Sequence, residues 1–239
     1  MSGGGEMTQE ALRKLIDPCF KSLLSNICDA ENAMCQFLAV GDYAERLKGF
    51  AHEEAFAIIQ RNAVANLAIS LYKPFEGPDR LTLVKLTKTI ESYLQYNTLS
   101  INPLMNRSLR EWLQPNKPVD AVEECPPSDN EVIRLLIERI REMSPKANKP
   151  AWTRLEVLRR SVAHNCVDAG TIESATVDEA VQHLNFLMRT EKAFRFGIFG
   201  FSEFDREPEL TVEVMKRKKA YRDLQKVIES CLVAYAKPV

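Results

Sequence analysis

Apolar residues recur at three- and four-residue steps along most of this 239-residue chain. The first long run covers residues 7–40 and carries the pattern from Leu12 to Ile27. That spacing places the apolar side chains on one face of an α-helix, which must pack against another element. Strand-like alternation is scarce, and there are only nine glycines. The chain is therefore predicted to be all-α, an antiparallel bundle of long helices.

Capping and turn residues divide the remainder into further predicted helices. Ser128 with Glu131 forms one capping box and Thr176 with Glu179 a second, and each is expected to open a helix. Pro18 predicts either a kink in the first helix or the start of another. The expected helices are 7–40, 44–73, 81–96 with Asp79 as its cap, 103–113, 128–143, one from 150 or 151, 176–196, and 208–236 begun by Pro208.

The length allows one large domain or two small ones, and nothing in the sequence requires two. Three segments are expected. They are a disordered N-terminus at residues 1–6, a helical domain over 7–196, and a C-terminal helical extension at 197–239 that packs on the same domain.

The net charge of −1 is unevenly distributed. Residues 120–131 are acidic and predict an exposed loop, whereas residues 134–160 hold eight basic and three acidic residues. A second basic run lies near the C-terminus and is either a solvated helix face or a contact for nucleic acid. This run comprises Lys216, Arg217, Lys218, Lys219 and Arg222.

Several function classes lack their motifs. The chain has no phosphate-binding loop, no dinucleotide fingerprint, no H-E-x-x-H and no nucleophile elbow. With three histidines and no C-x-x-C pair, no zinc site or other cofactor is expected, although carboxylate-bound magnesium stays open. The six cysteines form no C-x-x-C pair, and the sequence shows no signal peptide and no membrane-spanning run. These features predict a soluble cytoplasmic protein without a membrane partner.

Arg159 and His164 offer a candidate site. An imidazole transfers protons near neutral pH and a guanidinium binds phosphate, so the pair suits metal-free work on a phosphodiester. A similar pair, Arg46 and His52, lies where a helix is expected to begin, and its histidine has the character of a surface or capping residue. The basic surroundings favour the later pair.

Helix geometry supports a structural interpretation of the same residues. On an ideal helix Arg159 and His164 are about 140° apart, whereas Arg160 and His164 share a face. Glu156 is spaced to pair with Arg160, which would leave a solvated arginine and a hydrogen-bonded histidine. Catalysis would require the helix to loosen near His164, or the two groups to meet their counterparts across a symmetric dimer.

The segment from Arg159 to His164 resembles the R-x(4–6)-H motif of the HEPN superfamily, helical domains found among bacterial toxins and phage-defence ribonucleases. The layout is similar to its abortive-infection branch, in which a helix like residues 65–72 and a segment like residues 79–86 precede the motif. The resemblance covers roughly residues 10–196. At the position after the motif arginine this family usually has a small polar residue, whereas this chain has Arg160.

The resemblance implies an endoribonuclease that acts without metal at a composite site of a homodimer. His164 would be the general acid or base, and Arg159 would stabilise charge on the phosphate during attack by the RNA 2′-hydroxyl. Arg160, Asn165 and the Lys216–Arg222 run are the expected RNA contacts, and an antitoxin or another defence protein is an expected partner.

Two other functions stay open. Arg160 in place of a small polar residue favours a non-catalytic interaction or sensor module in a defence or toxin–antitoxin system. A nucleotide-binding or nucleotidyl-acceptor protein is not distinguishable from the ribonuclease by sequence.

Overall fold

The computed structural model describes residues 7–77, 81–114, 128–163, 174–200 and 210–235, and for 159–163 and 174–175 it describes the backbone alone. These residues form helices and no β-strand, so the all-α prediction is confirmed. The helices are α1 (Gln9–Gly41), α2 (Ala44–Leu47), α3 (Glu53–Tyr72), α4 (Leu83–Leu94), α5 (Pro103–Leu113), α6 (Asp129–Glu142), α7 (Lys149–Ala163), α8 (Ser174–Lys192), α9 (Val212–Lys216) and α10 (Lys219–Ala234). A 3₁₀ turn at Lys73–Phe75 follows α3, and a π-helical segment at Ala193–Ile198 follows α8.

The first predicted helix is continuous, because α1 contains Pro18 in its interior without ending there. The helix predicted over 44–73 is instead two helices. Lys48 has an extended backbone and Gly49 has a φ of 73°, a left-handed conformation that ends α2 and that glycine adopts readily. The second of these helices, α3, begins after His52, as expected for the charged turn at Glu53 and Glu54.

Capping residues define several boundaries. The capping box of Ser128 and Glu131 at the start of α6 is confirmed. The box predicted from Thr176 is wrong, because α8 has already begun at Ser174 and the Glu179 carboxylate pairs with Arg154. Thr82 caps α4, since its side chain accepts a hydrogen bond from the Lys85 N–H, so the prediction of Asp79 as the cap is wrong.

Several predictions fall on parts of the chain outside the described residues. These parts are Asp79, Pro208, residues 1–6 and most of the acidic loop. The predicted helix 208–236 is divided in two. Thr211 caps α9, and Lys218 has an extended backbone that separates α9 from α10. None of the described helices combines the length and the apolar character needed to cross a lipid bilayer.

The chain forms two compact units, each assembled from three segments. The first comprises the described parts of Met1–Ser25, Pro74–Lys149 and Phe186–Arg206, and the second those of Asn26–Lys73, Pro150–Asn185 and Glu207–Val239. Two of the boundaries between these segments fall inside helices, at Ser25 in α1 and at Asn185 in α8.

In the first unit, α6 organises the connection between α4 and α5. Asn130 accepts a hydrogen bond from the Leu99 N–H at 3.0 Å, and Asp129 accepts one from the Ile101 N–H at 2.9 Å. On α1, the Phe20 ring packs against Phe194 and Phe199, with centroid separations of 6.1 and 5.8 Å. Buried aromatic contacts and satisfied loop amides therefore connect the segments of this unit.

In the second unit, the C-terminal half of α1 packs with α3 and α10. Val40, Tyr43, Phe56 and Ile228 belong to one buried apolar cluster, and Ile228 is completely inaccessible to solvent. Burial of such side chains stabilises the fold by about 1.5–3 kcal/mol each. The α10 helix, in the region predicted to be a C-terminal extension, thus contributes to the core of the second unit.

Candidate functional site

The motif lies on α7 and just beyond its described end. Arg159 and Arg160 are in the last two turns of this helix, where the structure describes their backbone, while His164 and Asn165 lie outside the described residues. Arg159 follows the buried Trp152 by seven residues, or about two turns, so both positions share one side of α7.

Trp152 anchors the first turn of α7. Its indole is 1% exposed and stacks on the His183 imidazole of α8, with ring centroids 3.8 Å apart and planes inclined by 18°. Tyr72 meets the same indole edge-on at 4.8 Å, and its hydroxyl donates a hydrogen bond to the Trp152 carbonyl at 3.3 Å. The start of the motif helix is therefore held from two sides by aromatic contacts.

His183 also bonds to the backbone of α7. Its Nε2 lies 2.8 Å from the Ala151 carbonyl oxygen. Because a carbonyl only accepts, this nitrogen carries the proton, and Nδ1 of the neutral ring is an acceptor. That Nδ1 is buried without a hydrogen-bond partner among the described residues, and burial lowers the pKa of His183. The imidazole is therefore held in its neutral form.

Glu179 lies one turn before His183 on α8. Its carboxylate is 3.6 Å from the Arg154 guanidinium of α7, and its Oε1 is buried without a hydrogen-bond partner within the described ranges. Burial raises the pKa of Glu179, and the neighbouring Arg154 opposes this effect. An ion pair and a stacked histidine thus join α7 to α8 over consecutive turns.

A small apolar pocket lies beside Leu155 and Leu158 of α7. Met34 and Phe37 of α1 and Val64 and Leu67 of α3 form much of its lining. Its volume of about 10 Å³ is enough for about one water molecule and too small for a nucleotide. This pocket is therefore not a nucleotide-binding site.

The residues of the predicted RNA-binding run fall into two groups, those that form ion pairs within the protein and those that are exposed to solvent. The Lys216 ammonium lies 2.6 Å from Asp42, and the Lys218 ammonium lies 3.0 Å from Glu31. Arg217, Lys219 and Arg222 are exposed. Lys216 and Lys218 thus help to attach the two C-terminal helices to α1 and to the turn that follows it, whereas the other three basic residues face solvent.

Two tyrosines strengthen this attachment. The Tyr221 hydroxyl donates a hydrogen bond to Asp42 at 2.6 Å, and Tyr43 donates one to Glu229. Burial and the adjacent Asp42 carboxylate raise the pKa of Tyr221, and the hydrogen bond to Glu229 raises the pKa of Tyr43. Both phenols therefore remain donors at neutral pH.

His183 is a residue of this site that was not predicted from the sequence. A signal for it existed: His183 follows Ala180 by three residues and precedes Leu187 by four, so it lies on the apolar side of α8. The described residues contain no cluster of three or more His, Cys, Asp or Glu side chains that would hold a metal ion.

Fold and site together define an all-α protein in which an arginine-bearing motif helix is anchored by a buried tryptophan–histidine stack. No known protein family, curated protein or solved structure matches this chain.

Proposed function

We propose that this chain is a metal-independent endoribonuclease of a phage-defence or toxin–antitoxin system, with a composite active site in a HEPN-type homodimer. The observation that carries the proposal is the place of Arg159, on the same side of α7 as Trp152 and two turns beyond the anchored start of the helix. A rigid helix is the kind of support that a precisely positioned catalytic group requires.

In the proposed reaction His164 takes the proton of a ribose 2′-hydroxyl, whose oxygen attacks the adjacent phosphorus. Arg159 stabilises the added negative charge on the phosphate oxygens. The bond to the 5′-oxygen breaks, and the partner subunit's His164 returns a proton to that leaving oxygen. The products are a 2′,3′-cyclic phosphate and a 5′-hydroxyl, so the protons balance without a metal or an added nucleophile.

The proposed RNA contacts are Arg160 and Asn165 near the motif and the exposed bases of α9 and α10. Lys219 and Arg222 are three residues apart on α10 and exposed, so their charges lie on one side of that helix. Exposed cations of this kind bind the phosphate backbone without reading sequence. Lys216 and Lys218 contribute less to the proposed surface, because Lys216 is paired with Asp42, which directly follows α1, and Lys218 with Glu31 of α1.

Cleavage of a labelled single-stranded RNA and a tRNA pool in EDTA tests the catalytic proposal. We expect the wild-type protein to cleave and Arg159→Ala and His164→Ala to lose at least about a hundredfold in rate. The matched controls are Arg46→Ala and His52→Ala, which remove a similarly spaced pair elsewhere in the chain. Equal cleavage by His164→Ala and the wild type would exclude the mechanism, as would loss of activity in both control variants.

Salt-dependent RNA binding by the inactive His164→Ala protein tests the basic surface. A plot of the logarithm of the RNA association constant against the logarithm of the salt concentration has a negative slope. Replacing Lys219 by Ala should make this slope less steep by about one, because one phosphate contact is lost. The Lys218→Ala variant is the control, since Lys218 is paired with Glu31. If both variants change the slope equally, the assignment of the exposed surface is wrong.

A non-catalytic interaction or sensor module is the second candidate. Its support is Arg160 in place of a small polar residue and the use of two predicted RNA-binding bases in intramolecular ion pairs. Expression in a bacterial host separates the two candidates. A ribonuclease toxin should depress growth as the wild type and be tolerated as His164→Ala, whereas an interaction module should be tolerated in both forms.

A further inference from the structure

A polar groove runs between α1 and α3 in the second unit. Its volume is about 340 Å³, within the range of small-molecule sites. From α1 it is lined by Asp29, Asn32, Ala33 and Gln36. From α3 and the residue that follows it, the lining is Asn66, Ile69, Ser70 and Lys73.

The spacing of these residues explains why the groove is open. Each helix contributes positions i, i+3, i+4 and i+7, which form a single stripe along its surface. Two facing stripes would normally be filled by large apolar side chains, yet here the i+4 position is Ala33 on one helix and Ser70 on the other. Small residues at the centre and polar residues at the ends leave space that the protein itself does not fill.

The order of groups along the groove follows from the antiparallel course of the helices. Val40 at the end of α1 and Phe56 at the start of α3 lie in one cluster, so the residue numbers run in opposite directions. Asp29 and Lys73 are therefore at one end of the groove, and the carboxamides of Gln36 and Asn66 are at the other. Ile69 contributes apolar surface between the two ends.

Two opposite charges at one end of this groove are not paired with each other. Among the described residues Asp29 and Lys73 form no ion pair, although both line the same end. Ser70, which is only 3% exposed, lines the centre of the groove. An unpaired ammonium and an unpaired carboxylate are therefore available to a ligand that carries charged and hydrogen-bonding groups.

We propose that this groove binds a nucleoside monophosphate unit. The two carboxamides match the donor and acceptor edge of a nucleobase, and Ile69 and Ala33 offer an apolar surface for its ring. At the other end, Lys73 binds the phosphate and Asp29 accepts from a ribose hydroxyl. The unit comes from either a free nucleotide or one residue of an RNA strand. This binding does not depend on catalysis by Arg159 and His164.

Calorimetric titration of the full chain with each of the four nucleoside monophosphates, with inorganic phosphate and with a short RNA tests the proposal. At least one monophosphate or the RNA should bind at least about tenfold more tightly than phosphate, because base and ribose contacts add to the charge contact. Lys73→Ala should weaken that binding by roughly tenfold or more. Ser70→Leu should abolish it by filling the centre of the groove.

Arg61→Ala is the matched control, since Arg61 is exposed on α3 about 130° away from the groove. It should bind like the wild type. Saturation by a monophosphate would identify a free nucleotide, and binding of the RNA alone would identify a strand contact. Three outcomes overturn the proposal: no binding by either, binding no tighter than that of phosphate, or wild-type affinity in both Lys73→Ala and the exposed Asn66→Ala. His164→Ala should retain binding even if the chain proves to have no ribonuclease activity.

Discussion

Replacement of His183 by Phe should change how the stability of the second unit depends on pH. Phe retains an aromatic ring against Trp152 but removes the hydrogen bond to Ala151 and the titrating group. Loss of that bond costs about 0.5–1.5 kcal/mol, and removal of the unpartnered Nδ1 returns about 1–3 kcal/mol. At pH 8 the variant should therefore range from about 0.5 kcal/mol less stable to about 2.5 kcal/mol more stable than the wild type.

The difference appears on acidification. Burial lowers the pKa of His183 in the folded state, so between the folded and unfolded pKa values the unfolded chain binds the extra proton. Wild-type stability is then lost as the pH falls below about 6.5, with a slope approaching 1.36 kcal/mol per pH unit, or up to about 2 kcal/mol by pH 5. The variant lacks this contribution. Glu179 has a raised pKa and acts in the opposite direction, but it is present in both proteins and cancels in the comparison.

Urea unfolding followed by tryptophan fluorescence at pH 8, 7, 6 and 5 measures the effect. A Trp112→Phe background leaves Trp152 as the sole indole, because the chain has two tryptophans. His52→Phe makes the same replacement at an exposed histidine and serves as the control. If the stability difference between wild type and His183→Phe is the same at pH 8 and pH 5, the assignment of a buried neutral imidazole is wrong.

Two further predictions concern the packing and capping contacts. Trp152→Ala should destabilise the second unit by about 3–5 kcal/mol, because it removes a side chain that is 1% exposed together with its contacts to His183 and Tyr72. Thermal unfolding measures this loss of stability. A loss below about 1 kcal/mol would contradict the anchoring role of Trp152. Ser128→Ala should lower the free energy of unfolding by about 1 kcal/mol, because α6 loses its cap, and chemical unfolding measures this change. Ser128→Asp should retain most of the wild-type stability, because aspartate also caps helices. Equal losses in both variants would show that the cap does not stabilise α6.

Local signals in the sequence predicted most of the helices. The helix over Pro103–Leu113 and the box at Ser128 matched closely, because Asn102 and Ser128 cap helices with their own side chains. Such information is contained within a few neighbouring residues. The prediction of one helix over 44–73 was wrong, although Gly49 offered a local reason for the break.

The remaining features depend on residues distant in the chain. Lys218 interrupts the predicted C-terminal helix with no glycine or proline at the break, and it pairs with Glu31, 187 residues away. His183 joins the site through Trp152 on another helix. The groove requires two stripes on separate helices to face each other. The roles of Arg159 and His164 stay a prediction, since His164 lies outside the described residues.

The separation of α1 and α10 along the chain sets an order for folding during translation. The hydrogen bond from Tyr43 to Glu229 cannot form until Glu229 has been synthesised, 186 residues later. The apolar cluster that contains Val40 likewise stays incomplete until Ile228 has been synthesised. At typical synthesis rates that interval is roughly 10–40 s. Throughout this interval the apolar end of α1 lacks the cover that α10 provides, and exposed apolar surface of this kind makes a nascent chain prone to aggregation.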